Sequence, residues 1–154
     1  MRSSQPAVLL LVCLLAGCQR PEQAMDEFQT TPLKLPNGTT IRIETMMRKE
    51  DMMRGMMFRD KLPNDRGMLF IHGSPGLYPY WMHQVKIPLD IIWMDQNKRI
   101  VEMVPYAPPC PIQGPEAQER CPTFGGHQPA TYVLELAGGS IARLGLKHGD
   151  RLDF

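Results

Sequence analysis

The chain has no apolar run long enough to cross a bilayer as a helix. Such a helix needs about 20 apolar residues, and the run from Ala7 to Ala16 (AVLLLVCLLA) holds ten. Neither sign of charge is in excess, with 17 Lys+Arg against 16 Asp+Glu. No basic face stands out, which argues against nucleic acid as a partner. Cys-x-x-Cys is absent, so the common dithiol and thiolate-zinc spacings are missing. A Ser-His-Asp order, His-Glu-x-x-His and a phosphate loop are also missing, which removes the familiar signatures of hydrolysis and phosphoryl transfer. The twelve methionines form no tandem Met-x-x-Met or His-Met strings, so no metal ligand set and no cofactor is assigned. There is no internal repeat, and 154 residues fit one domain.

What is present begins with an address. Arg2, the apolar run and Leu15-Ala16-Gly17-Cys18 have the order of a secretory signal that ends in a lipobox. Residues 1–18 are therefore read as a lipoprotein signal with Cys18 as the lipidated residue. Each buried acyl CH₂ contributes about 0.8 kcal/mol, so two or three chains hold a protein to a membrane without a spanning helix. Gln19 follows the cysteine in place of aspartate, which leans the address towards the outer membrane, facing the periplasm. Residues 19–31 are polar and aperiodic and read as a tether. Residues 32–154 form the domain. Arg2 is the only charge lost with the signal, so the mature chain is formally neutral.

Cys13 leaves with the signal and Cys18 takes the lipid. Cys110 and Cys121 remain in an oxidising compartment, and a disulfide between them is expected. It would close a loop of about a dozen residues, worth about 3 kcal/mol in the chain-entropy model.

Fifteen prolines and thirteen glycines cut the domain into short pieces, favouring strands over long helices. Leu33–Leu35, Pro36-Asn37-Gly38 and Thr39–Thr45 predict a hairpin. Arg48–Phe58 predicts a short helix carrying Met52, Met53, Met56 and Met57 at four-residue spacing, with Gly55 marking a close approach. Met68–Ile71, Tyr80–His83, Leu89–Asp95, Arg99–Val104, Thr131–Leu136 and Arg151–Phe154 predict strands. Tyr106–Pro129 is a long loop around the cysteines, and Ser140 is expected to cap a second helix, Ile141–Leu144. The fold class is mainly β: a compact, mostly antiparallel barrel or sandwich with two short helices.

These motifs taken together resemble a known family. GMMFRDKLPNDRGMLFIH, YWMHQVKIPLDIIWMD and YVLELAGGSIARLGLKHGDRLDF, in this order, are similar to the bacterial and archaeal family called domain of unknown function 192, over about Leu33–Phe154. The resemblance implies a compact β-rich fold, often exported, and no established activity. The family's recurring positions fall on Gly55, Met57, Arg59, Gly67, Met68, Trp81, Met82, Pro88, Leu89, Asp90, Glu135 and Gly139. Tyr80 stands where Phe is common, and His83-Gln84 where Lys-Asn is common.

Asp90 is the foremost candidate residue, a carboxylate between Leu89 and Ile91 that needs a partner if buried. Arg54 and Arg59 are the expected partners, and a structural ion pair or a capped turn is the bland reading. Glu135 alternates with Leu134 and Leu136; an edge-facing or loop-bonded carboxylate is its bland reading. His72, His127 and His148 lie in or beside loops and are expected to be solvated. Arg59, Trp81, Met82 and Asp90 are the expected ligand-binding set. The leading expectation is a non-catalytic envelope lipoprotein that binds a small ligand or an envelope protein near Trp81, Asp90 and the Cys110 loop. Two alternatives stand beside it. One is a hydrolase-like enzyme using Asp90 with His83 or Glu135; the other is a copper-handling protein using Met and His ligands.

Overall fold

A computed structural model describes residues 30–112, 114 and 116–154. The expected signal, Cys18 and nearly all of the tether lie outside the described residues. The domain is mainly β, with eight strands and three short helices.

The hairpin forms as expected. β1 (Thr30–Lys34) pairs antiparallel with β2 (Thr40–Met46). Gly38 adopts φ +84° at the turn, where an L side chain would be strained. Asn37 locks the turn by accepting from the Thr39 amide at 2.9 Å and donating to the Leu144 carbonyl at 3.1 Å. The chain then crosses through α1 (Lys49–Arg54) to β3 (Arg66–Gly76), which runs parallel to β2. α1 is shorter than expected. It stops because Gly55 takes φ +43°, and a Cβ there would lie 3.2 Å from the Phe70 ring.

β5 (Leu89–Met94) and β6 (Ile100–Ala107) form a second hairpin. β8 (Ala130–Ala137) lies between β3 and β5, antiparallel to both. The main sheet has the order β1-β2-β3-β8-β5-β6. β4 is only Tyr80–Trp81, and it pairs with β7 (Thr123–Phe124) in a separate ribbon. A third helix, α2 (Ala117–Arg120), lies inside the cysteine loop, and the Cys110–Cys121 disulfide is formed.

The sheet is covered on both faces, which explains why every residue of β5 is buried. Leu89, Ile91 and Trp93 join one core with Met68, Phe70 and Val133. Ile92 and Met94 join the other with Leu69, Leu134 and Leu136. That second core is closed by α3 (Ser140–Leu144) and the C-terminal segment. The segment forms two isolated bridges rather than a strand. Arg151 meets Arg99 beside β6, and Asp153 meets Lys34 at the end of β1. The two edges of the sheet approach through these bridges, without a continuous ladder that would make a closed barrel.

Candidate functional site

Two-residue alternation sorts the candidate carboxylates before any chemistry is considered. Asp90 is paired with Leu136 and Glu135 with Ile91. Asp90 therefore shares a face with Ile92 and Leu136, and Glu135 shares the opposite face with Val133 and Ile91. An acid pair of Asp90 and Glu135 is not assembled.

Asp90 is fully buried, and its partners are backbone amides rather than Arg54 or Arg59. Oδ1 accepts from Tyr106 N at 2.8 Å and Gly139 N at 3.0 Å, and Oδ2 accepts from Ile141 N at 2.6 Å. The carboxylate thus caps α3 from another strand. Ser140, the expected cap, is inside the helix and accepts from Arg143 at 2.9 Å. Gly139 is the N-cap residue, at φ +88°, and Tyr106 is also held at positive φ, +54°.

Arg59 answers Glu44. The guanidinium donates to both carboxylate oxygens at 2.6 Å, a fork-to-fork pair. Glu44 lies opposite Met68 in β3, which lies opposite Glu135 in β8. The two glutamates are thus on one face, two strands apart, about 10 Å by ordinary strand spacing. Arg54 is exposed.

On the Glu135 face lies a cleft of about 350 Å³. Met52, Met56 and Met57, from α1 and the turns after it, make one wall; Tyr78, Tyr80, Trp81 and His83 make the other. Phe70, Val85 and Glu135 are its buried lining and His72 is half-buried, while Met47, Lys49, Met53 and Arg54 form the exposed rim. Within the expected ligand set, Trp81 lines the cleft, packed against His83 with ring centroids 5.1 Å apart. Met82 does not line it. Its side chain is wholly in the core, while its carbonyl accepts from Cys110 N at 3.2 Å and ties the disulfide loop to the cleft wall. Arg59 is spent on Glu44, and Asp90 is behind the sheet. His83 pairs with neither Asp90 nor Glu135; its Nδ1 lies 3.9 Å from Cys121 Sγ.

Glu135 occupies a central strand, not an edge, because β3 and β5 flank β8. It is buried, and its Oε2 has no hydrogen-bond partner among the described residues. Burial pushes its carboxyl up to about 8, against the opposing pull of Arg59. Tyr80 is likewise shifted up, first by burial and then by the charges of Glu135 and Tyr78. Its hydroxyl lies 3.1 Å from His72 Nε2. His72 is half-buried rather than solvated, stacked on Tyr78 at 3.6 Å, and burial lowers its pKa. His127 and His148 are exposed, as expected.

Sequence reading missed the groups that make this cleft chemical: Glu135 as its buried acid, and Tyr78 and His72 beside it. One signal was available. A carboxylate at the inward phase of TYVLEL, with apolar neighbours on both flanking strands, has nowhere wet to point. Five methionines and two histidines line the cleft. No group of three His, Cys, Asp or Glu among the described residues could hold a metal.

The model of a family described as "Uncharacterized ACR", DUF192, matches residues 33–154. A crystal structure of a protein of unknown function from Novosphingobium aromaticivorans is similar, with TM-score 0.73, 28% identity and coverage of 85% of this chain and 89% of that one. A crystal structure of a putative transcription regulator from Sinorhizobium meliloti is also similar, with TM-score 0.67, 28% identity and coverage of 79% and 89%. No curated protein matches significantly.

Proposed function

The chain belongs to the DUF192 family, and on that premise we propose that it is a membrane-tethered binding protein. Its cleft takes a small, largely apolar ligand. The carrying observation is the pairing of an apolar wall with one buried carboxyl whose Oε2 has no hydrogen-bond partner among the described residues. Ligand sites are typically concavities of about 300–1,000 Å³ lined by apolar and aromatic groups with few polar ones. Methionine walls can repack around different shapes, which suits binding better than a reaction needing fixed geometry.

The tether rests on Leu15-Ala16-Gly17-Cys18. Thr30 pairs with Glu44, shortly before β2 leads into α1, so a tether from Cys18 joins the domain beside the cleft. A fully extended segment from Cys18 to Thr30 reaches at most about 40 Å. The cleft then works close to the membrane, within reach of apolar molecules partitioned there. The regulatory role named for the Sinorhizobium meliloti protein is not carried over, given the balanced charge of this chain.

The test is mass spectrometry of the natively extracted protein. Wild type should carry a small molecule that is absent from Met57→Arg, which places a charge in the cleft wall. Identical, empty spectra for both would sink the binding role. The intact mass should show acyl chains on a chain starting at Cys18; an unmodified chain, or one that still carries its signal, would sink the anchor.

A second reading is favoured by the methionines and histidines of the same cleft. Thioether and imidazole ligands suit Cu(I). Competition against a Cu(I)-specific chelator tests it: a site that survives Met52→Leu/Met56→Leu/Met57→Leu unchanged is not this one.

A further inference from the structure

Glu135 is the one group in the cleft whose environment leaves a clear demand. Its carboxyl is buried and lines the cavity, and Oε2 has no partner among the described residues. The cation whose charge acts on it, Arg59, is already bound to Glu44 through both oxygens. The rings of Tyr78, Tyr80 and Trp81 line the same cavity, and Tyr80 feels the charge of Glu135. A buried acid is relieved by a cation delivered to it, and aromatic faces stabilise an ammonium group within about 6 Å. Methionine thioethers add a polarisable apolar wall for an alkyl or aryl body.

We propose that the cleft selects apolar amines, with the ammonium group paired to Glu135 and the apolar body among the methionines. This rests on the binding role proposed above and names its ligand class. The proton balance follows directly. Below about pH 8 Glu135 holds a proton, and the amine arrives as its ammonium. Forming the carboxylate–ammonium pair sends the Glu135 proton to solvent, so binding releases close to one proton per ligand.

The groups facing Glu135 bear on that count. Glu44 and Arg59 form a closed pair on the β2 side. Tyr80 is held protonated by burial, and burial lowers the pKa of His72. Tyr78 and His83 complete the facing wall, and Lys49 and Arg54 stand on the exposed rim. The rim cations oppose an incoming ammonium, but they are exposed and screened at physiological salt.

The experiment uses three probes with one apolar body: n-octylammonium, n-octanol and n-octanoate. Each is titrated by calorimetry into the full mature protein at about pH 6.5, well below the Glu135 titration. Two buffers of different ionisation enthalpy report the protons released. Wild type should bind the ammonium at least about tenfold more tightly than the alcohol and release nearly one proton with it. Glu135→Gln should lose both the preference and the release while still binding octanol. His72→Gln and His83→Gln should keep the release.

An amine with no advantage over octanol, or bound without proton release, overturns the ligand class while the apolar cleft stands. Preference for octanoate overturns it in favour of the rim cations. Failure of all three probes to bind wild type overturns the cleft reading as well. Proton release by wild type is a sufficient test by itself, so the proposal stays testable even if Glu135→Gln folds poorly.

Discussion

Glu135→Gln should make the domain more stable at alkaline pH and leave it nearly unchanged at acid pH. The folded protein raises this carboxyl from 4.5 to about 8. A raised acid favours the protonated form in the folded state. The stability linked to it is therefore fully present below 4.5 and is lost as pH rises through about 8. Between those limits the unfolded chain has released a proton that the folded chain keeps. Each pH unit then removes about 1.4 kcal/mol, and the whole interval about 5 kcal/mol. That is a large share of the 5–15 kcal/mol typical of a domain. Glutamine keeps the shape of the neutral acid and cannot ionise, so its curve lacks this slope. Urea unfolding at about pH 5, 6, 7 and 8, with the disulfide intact and m compared between proteins, measures it. The advantage of the glutamine variant should be about 1 kcal/mol or less at about pH 5 and grow by about 1.4 kcal/mol per unit towards pH 8. Parallel curves for the two proteins would refute the argument, because they would mean that the acid is solvated or paired in the folded state.

Three further changes probe the frame around the cleft. Asp90→Ala leaves three part-buried amides without their acceptor, at about 1 kcal/mol each and more where water cannot take its place. A loss of at least about 3 kcal/mol in urea is expected, and a loss under about 1 kcal/mol would show that α3 does not depend on this cap. Gly125→Ala puts a Cβ 2.4 Å from the Trp93 ring at a backbone with φ +60°. It should cost more than about 2 kcal/mol and alter the Trp93 near-ultraviolet signal. Replacing Cys110 and Cys121 by serine opens the loop closed by the disulfide and should cost about 3 kcal/mol, read as a lower urea midpoint with little change in the sheet's far-ultraviolet spectrum.

The sequence carried the strands more faithfully than the site. Asn37-Gly38 marked the first hairpin because few residues tolerate its turn, and β5 was visible because the six positions Leu89–Met94 hold one charge. α1 was overextended because four methionines at helical spacing cannot show that Gly55 would break the helix. The cap of α3 was misassigned to Ser140, since local order favours it. The true cap, Asp90, is brought by the β5–β8 register, which no local pattern contains. For the same reason Arg59 was matched to the wrong carboxylate. Face assignment across three strands decides that Glu44 receives it, and that Glu135 is left alone in the cleft.

The bridges made by Arg151 and Asp153 carry a kinetic consequence. They tie the last described residues to Lys34 and Arg99, with Leu152 fully buried between them. Closing that seam demands one of the longest loops the domain can form, so it comes late, after the local hairpins have zipped. Until then the outer strands β1 and β6 present bare edges, the kind that recruit strands from other chains. A chain cut before Arg151 would keep those edges permanently. It should aggregate through them at concentrations where the full chain remains monodisperse.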